Sequence, residues 1–163
     1  MKRLVPILIM LAVVFVFNSR RSVLRPGTAA PAISADTWIN TSGALELSTL
    51  RGKVVVIEFW ATWCGPCRAS IPHMNALHER WKDKDVVVMG LTDEPPVDVQ
   101  QFVRKNGIRY AVGAGSLSSF DYGVSSIPHV FVIAGDGTVV WDGYPGRELD
   151  QAVAQAHKSL SQS

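Results

Sequence analysis

A third cysteine is missing. The 163-residue sequence has two, Cys64 and Cys67, both in a single Cys-x-x-Cys. A zinc centre would have to complete its roughly four N or S ligands from histidine, and His73 and His78 fall on the same helix as the cysteines without an evident geometry to join them. No metal and no cofactor are expected. Charge is also scarce: Lys, Arg, Asp and Glu make up 18% of the chain against 47% hydrophobic residues. That excludes a chain kept disordered by low hydrophobicity. The formal net charge of +2 is too small to point to an acidic partner, and no basic stripe with interleaved aromatics is present, so nucleic-acid binding is not indicated. There is no internal repeat.

An uncharged and almost wholly apolar run, Leu4–Phe17, follows Lys2-Arg3. A basic start and an apolar stretch suit a signal sequence. The run is shorter than the roughly 20 residues that span a hydrocarbon core comfortably, but tilting, bilayer thinning and snorkelling arginines could make it a short anchor. A small-residue cleavage site occurs only at Gly27-Thr28-Ala29-Ala30, well beyond the run, with Pro31 following. Residues 1–19 are therefore read as an uncleaved signal-anchor, with cleavage and secretion as the alternative. Lys2 and Arg3 are opposed by Arg20, Arg21 and Arg25, so positive charge does not fix the orientation. The expected location is membrane-anchored, with the domain on the extracytoplasmic (periplasmic) side. Residues 20–35, rich in Arg, Pro, Ala and Ser, read as a linker, and residues 36–163 fit one domain.

Within that domain a short strand or hairpin is expected around Trp38–Leu47. Val54–Trp60 is a near-continuous apolar run with β-branched residues, the pattern of a strand covered on both faces. Ile71, Met74, Leu77 and Trp81 recur at helical spacing, predicting a helix over Pro66–Trp81. Val86–Leu91 reads as a second buried strand. Pro95-Pro96 opens a helix in which Val99, Phe102 and Val103 share a face and Gly107 supplies a left-handed cap. Arg109–Val112 is expected to return as a short strand. Val130–Ile133, Gly135-Asp136-Gly137 and Thr138–Trp141 read as strand, turn and strand. Leu149, Val153, Ala156 and Leu160 line a C-terminal helix. Strands alternating with helices, then a hairpin and a helix, indicate an α/β fold with a mixed central sheet flanked by helices.

The Cys-x-x-Cys sits where a central strand hands over to a helix. A thiolate is the nucleophile of disulfide exchange, and a free thiol with a pKa of about 8.5 is mostly protonated near neutrality. A helix N-terminus, with its free N–H groups and positive dipole end, stabilises that charge at Cys64. Cys67, one turn on, is placed to resolve a mixed disulfide. A structural bridge across two intervening residues is the competing reading, but such a small loop restricts the unfolded chain little.

Phe59-Trp60-Ala61-Thr62-Trp63-Cys64-Gly65-Pro66-Cys67-Arg68 resembles the active-site strand and helix start of thioredoxins. Pro72 falls where thioredoxins kink this helix, and Ile127-Pro128 resembles the loop whose cis-proline packs against the disulfide. Gly123-Val124 through Ile133, Asp136-Gly137, Gly146, Ala30-Pro31 and Leu50-Arg51-Gly52-Lys53-Val54 resemble the exported, membrane-anchored branch typified by TlpA and ResA. The resemblance covers about residues 30–146. It implies a thioredoxin fold, dithiol chemistry outside the cytoplasm, and reducing power from a membrane thiol reductase of DsbD or CcdA type. The implied substrates are disulfide-bonded exported proteins, with apocytochrome c as one candidate.

The resemblance also assigns neighbours of the dithiol. Trp63, Gly65, Pro66, Ile127 and Pro128 are the expected substrate-binding residues, since a cis Pro128 would expose the Ile127 backbone to an extended substrate segment pairing as an added strand. Glu58 stands where thioredoxins carry a buried acid; if burial raises its pKa, it could take the proton of Cys67 as that thiol attacks. The alternative is a strand-end glutamate facing solvent. The acid that some exported relatives carry three residues after the second cysteine is replaced by Ser70, so any role of that acid does not transfer. His129 departs from the threonine often found after the proline, and either approaches the cysteines or turns away. His73, His78 and His157 read as solvated, and Trp60 as a shield of the disulfide or a core residue.

Three classes of function stay open, a reductase, an oxidase or isomerase and a non-catalytic binding domain, with a peroxidase as a weaker alternative. Gly65-Pro66 matches the dipeptide of reducing thioredoxins and lacks a histidine that would make the disulfide more oxidising, which favours a protein-disulfide reductase. An oxidase or isomerase is the alternative, and a peroxiredoxin-like antioxidant a further one, although the Pro-x-x-x-Thr/Ser-x-x-Cys setting of peroxiredoxins is lacking. A non-catalytic binding domain would not need two cysteines in this geometry.

Overall fold

A computed structural model describes residues 24–162; the signal-anchor reading of residues 1–19 lies outside the described residues. Among these, no helix is long and apolar enough to cross a membrane. The elements follow in the order β1 (Thr37–Ile39), β2 (Val54–Phe59), α1 (Gly65–Trp81), β3 (Val86–Thr92), α2 (Pro96–Asn106), β4 (Ala111–Ala114), α3 (Ser118–Asp121), β5 (His129–Ile133), β6 (Val139–Gly143) and α4 (Arg147–Leu160). They build one mixed sheet of order β1-β4-β3-β2-β5-β6. β2, β3 and β4 run parallel, and β1, β5 and β6 are antiparallel to their neighbours. This is the mixed-sheet α/β arrangement that the alternation of elements indicated, in the thioredoxin-like form that the resemblance implied.

Alternation along β2 divides the core. Val54, Val56 and Trp60 face the cluster that holds Cys64, Cys67, Ile71 and Met74 of α1, Val99 and Val103 of α2, and Leu149 and Val153 of α4. Val55, Ile57 and Phe59 face the other cluster, with Tyr122, Phe131 and Ile33. All three long helices of the described residues therefore cover one face; for α1 and α2 this is expected of right-handed β-α-β connections stepping across the sheet in one direction. The opposite face is covered by irregular chain and α3. All six residues of β2 are buried, because both faces of a central strand are packed.

Of the short strand or hairpin expected around Trp38–Leu47, the short strand forms, as β1. Asn40 has a positive φ of 60° and turns the chain after β1, whose partner is the distant β4; a single 3₁₀ turn, Leu47–Leu50, follows. β4 starts at Ala111 instead of Arg109 because the preceding backbone is engaged by side chains: Asn75 takes the Arg109 N–H and donates to the Gly107 carbonyl, and Asn40 donates to Ile108 and Tyr110. Gly107 ends α2 with φ 63°, the cap read from sequence. The segment read as a linker is tied to the domain by hydrogen bonds from Leu24 onward. Gly27 and Ala30 donate to Val139 and Gly137, Ile33 is buried, and the Pro31 carbonyl accepts from the Tyr122 hydroxyl.

One glycine has a specific packing reason. Gly90 of β3 lies opposite Glu58 in register, and a Cβ there would stand 2.8 Å from the Trp60 indole nitrogen and 3.2 Å from the Tyr110 ring. Both are core side chains, so room can be made only by shifting the sheet or the rings. Gly90→Ala should lower stability by about 1–3 kcal/mol, the usual cost of overpacking. A denaturation midpoint equal to that of the parent would contradict this packing argument.

Candidate active site

Cys64 is the N-cap residue of α1 and Cys67 lies within its first turn. The two sulfurs are bonded at 2.04 Å. The Cys67 N–H donates to the Cys64 sulfur at 3.2 Å, so one of the free donors of the helix start already points at the atom that would carry thiolate charge. Pro66 sits at the helix start, where its missing N–H costs nothing, and the first turn has no acidic residue to oppose a negative sulfur. The disulfide itself is enclosed: Cys64 is 4% and Cys67 1% exposed. Trp63, beside them, is 74% exposed.

Glu58 is on the face of β2 that meets α1, and it is 1% exposed. The solvent-facing reading is thereby overturned. Ser70 of α1 lies 2.9 Å from one carboxyl oxygen, and the Tyr110 hydroxyl donates to the other at 3.3 Å. Burial pushes its pKa up to about 7, against the lowering effect of the Ser70 and Tyr110 hydrogen bonds. Burial and the nearby Glu58 charge raise the Tyr110 hydroxyl well above its ordinary value, so Tyr110 stays a donor. At neutral pH Glu58 is thus present in both charge states.

The loop entering the dithiol is held by a residue that the sequence reading missed. Glu94, after β3, accepts from the Thr62 N–H at 2.7 Å and the Thr62 hydroxyl at 2.6 Å, and Thr92 donates to it at 3.1 Å. Such charge-assisted bonds are the stronger kind. The only sequence signal was an acidic Asp93-Glu94 pair directly after a buried strand. Tyr110 was missed for the same kind of reason, since its partner is 52 residues away.

The Ile127–Pro128 peptide is cis, as the resemblance implied, and Pro128 is buried. Trp60, Trp63, Thr92, Asp93, Ser126 and Ile127 border an open groove of about 190 Å³, which brings two of the expected substrate-binding residues, Trp63 and Ile127, to one concavity. Gly65 and Pro66 are exposed at the helix start, and nothing lies within 4 Å of where a Gly65 Cβ would stand. His129 does not join this group. Its Nε2 is 3.0 Å from Asp142 of β6, and its ring stacks 4.9 Å from Phe131, on the side facing away from α1.

His73 and His157 contact neighbouring side chains and are not simply solvated. His73 Nε2 is buried and lies 3.4 Å from Asp150 of α4, within ion-pair reach but without hydrogen-bond geometry. The His157 ring packs at a tilt against Trp81, with 4.9 Å between centroids. His78 is pushed down, chiefly by burial. No cluster of three or more metal-ligating side chains occurs among the described residues.

Comparisons with known proteins agree with this arrangement. A family model described as the AhpC/TSA family matches residues 26–142. Thiol-disulfide oxidoreductase ResA of Bacillus thuringiensis (strain Al Hakam) is 39% identical over 99 residues, covering 59% of this chain and 57% of the relative. The chain thus spans little more than half the length of the first curated relatives it matches. ResA of Halalkalibacterium halodurans is 32% identical over 127 residues, covering 76% of this chain and 71% of the relative. A crystal structure from Chlorobium tepidum, described as a thiol:disulfide interchange protein DsbE, superposes with a TM-score of 0.71 at 30% identity, covering 82% of this chain and 99% of that one.

The buried carboxyl gives a stability signature of defined sign. Unfolded, Glu58 titrates near 4.5; folded, near 7. Below about pH 4.5 it is neutral in both states and costs nothing. Between these values the unfolded chain releases a proton that the folded one retains, so stability falls as pH rises, and above 7 the full cost remains. Glu58→Gln should therefore match the parent near pH 4 and exceed it by about 3 kcal/mol at pH 8. Denaturant titrations of both proteins at several pH values check this, and a difference that does not change with pH would refute the buried carboxylate.

Proposed function

Because the chain belongs to the thioredoxin-like AhpC/TSA family, alongside the ResA oxidoreductases, we propose that it is an extracytoplasmic protein-disulfide reductase acting through Cys64 and Cys67. The observation that carries the reading is the dithiol pair at a helix N-terminus with a neutral-range carboxyl buried on the adjoining strand face.

The chemistry follows from that geometry. In the reduced protein the Cys64 thiolate, stabilised by the helix start, attacks a substrate disulfide; a mixed disulfide forms and one substrate thiolate leaves and is protonated. Cys67 then attacks the Cys64 sulfur, its proton passing to Glu58 directly or through a water. The Cys64–Cys67 bond closes, the second substrate sulfur departs as a thiolate and takes up the proton that Glu58 received, and the substrate has gained two electrons and two protons. Trp63 and Ile127 border the groove in which the substrate would lie. No backbone hydrogen bond engages Ile127 among the described residues, which leaves its N–H and C=O open to an extended segment.

The substrates are disulfide-bonded exported proteins, with apocytochrome c as the candidate that would tie the protein to cytochrome c maturation. The oxidised form would be reset by a membrane thiol reductase of DsbD or CcdA type, and the apolar run Leu4–Phe17 would hold the domain at the membrane. A peroxidase is not favoured. The positions of the peroxiredoxin Pro and Thr/Ser before the reactive cysteine are held here by Ile57 and Ala61.

Cys67→Ala should trap mixed disulfides through Cys64, because attack proceeds and resolution cannot. Non-reducing electrophoresis after acid quench, followed by peptide mapping, reads the outcome. Adducts on Cys64 are expected; equal trapping of the same clients by Cys64→Ala would reverse the roles, and absence of any adduct would remove the reductase reading.

A further inference from the structure

We infer that Ser70 is a positioning residue that governs whether Glu58 can take the Cys67 proton, because its single hydroxyl proton is contested by the Glu58 carboxylate and the Cys67 carbonyl. The inference rests on the reductase reading and deepens it. Ser70 Oγ is 2.9 Å from Glu58 Oε1 and 2.8 Å from the Cys67 carbonyl oxygen. A hydroxyl bonded back to the carbonyl three residues earlier is common in helices. A second partner that is a carboxylate with 1% exposure is not.

Serine has one donor and two acceptor lone pairs. While Glu58 is ionised both neighbours are pure acceptors, and the charged one takes the proton. When Glu58 gains a proton its carboxylic O–H can donate to Ser70 Oγ, which releases the serine proton to the Cys67 carbonyl. The hydrogen bonding of the first turn of α1 therefore changes with the charge of Glu58. Ser70 favours the ionised form and so keeps a buried acid able to accept a proton near neutrality.

Of the two hydroxyls that reach Glu58 among the described residues, only that of Ser70 also meets the Cys67 carbonyl. From β3 the residue facing Glu58 is Gly90 and from β5 it is Val130; neither titrates. α2 presents Val99, Phe102 and Val103 to this core. The titratable side chains are Tyr110, from the connection before β4, which donates to the other oxygen at 3.3 Å, and Cys67 of α1 once reduced. The position that carries an acid in some exported relatives thus holds, in this chain, the hydroxyl that tunes an acid on the strand.

The test is the titration of the Glu58 carboxyl by carbon-13 NMR in the oxidised protein, where no thiol titrates, for the parent, Ser70→Ala and Ser70→Thr. Loss of a hydrogen bond to the charged form should move the midpoint up by about one pH unit in Ser70→Ala, and Ser70→Thr should restore it. In the reduced protein, the pH profile for decay of the mixed disulfide should move by the same amount in Ser70→Ala, with the initial attack by Cys64 unchanged, and Ser70→Ala should add nothing in a Glu58→Gln background. An unmoved midpoint, or an equal kinetic change in the Glu58→Gln background, would overturn the inference. Because the titration uses no substrate, a shifted midpoint in a protein that reduces no disulfide would support the link between Ser70 and Glu58 and remove the reductase reading instead.

Discussion

A carboxyl group inside a hydrophobic core is the constraint around which this site is organised. Glu58 interrupts a strand whose other five residues are apolar and buried, and an unpartnered charge there would be expensive. The surroundings answer that cost in part: two hydroxyls reach the carboxyl, while Gly90 opposite has no Cβ, so the Trp60 and Tyr110 rings can close over the strand. Burial still dominates the two hydrogen bonds. The result is an acid poised near neutrality, which a proton acceptor needs and which stability alone would not select.

The dithiol depends on a second arrangement that meets the first at α1. Its sulfurs need the helix start, and the helix start needs the chain from Ala61 to Trp63 held in place. Glu94 supplies that hold from the far side of β3 through both polar groups of Thr62, and the Cys64 N–H donates to the Ala61 carbonyl to close the turn. Strand, loop and helix therefore bring three otherwise distant positions, Glu58, Glu94 and Ser70, around one short motif. The groove beside Trp63 and Ile127 opens on the same structure.

How much of this was legible in the sequence follows from the range of each interaction. The central strand, the active-site helix, the Asp136-Gly137 hairpin and the Gly107 cap are written in local periodicity and turn chemistry, and they appear where expected. The start of β4 lies later than its local pattern indicates because Asn40 and Asn75 hydrogen-bond with their side chains to backbone far along the chain. Residues 24–35 looked like a linker by composition, yet Tyr122 and the start of β6 give their backbone hydrogen-bond partners. Cys64 and Cys67 announce themselves by spacing and Glu58 by breaking an apolar run. Tyr110 and Glu94 do not, since an ordinary tyrosine and an ordinary acid acquire meaning only when the fold sets them against Glu58 and Thr62.

The measurement that tests the central claim most directly is the equilibrium redox potential of the Cys64–Cys67 couple, titrated against glutathione or dithiothreitol buffers. A Gly65-Pro66 dipeptide without histidine should give a reducing couple, near the thioredoxin value of about −270 mV. A potential at the oxidising end, near about −120 mV, would contradict the account and make the protein a donor of disulfides.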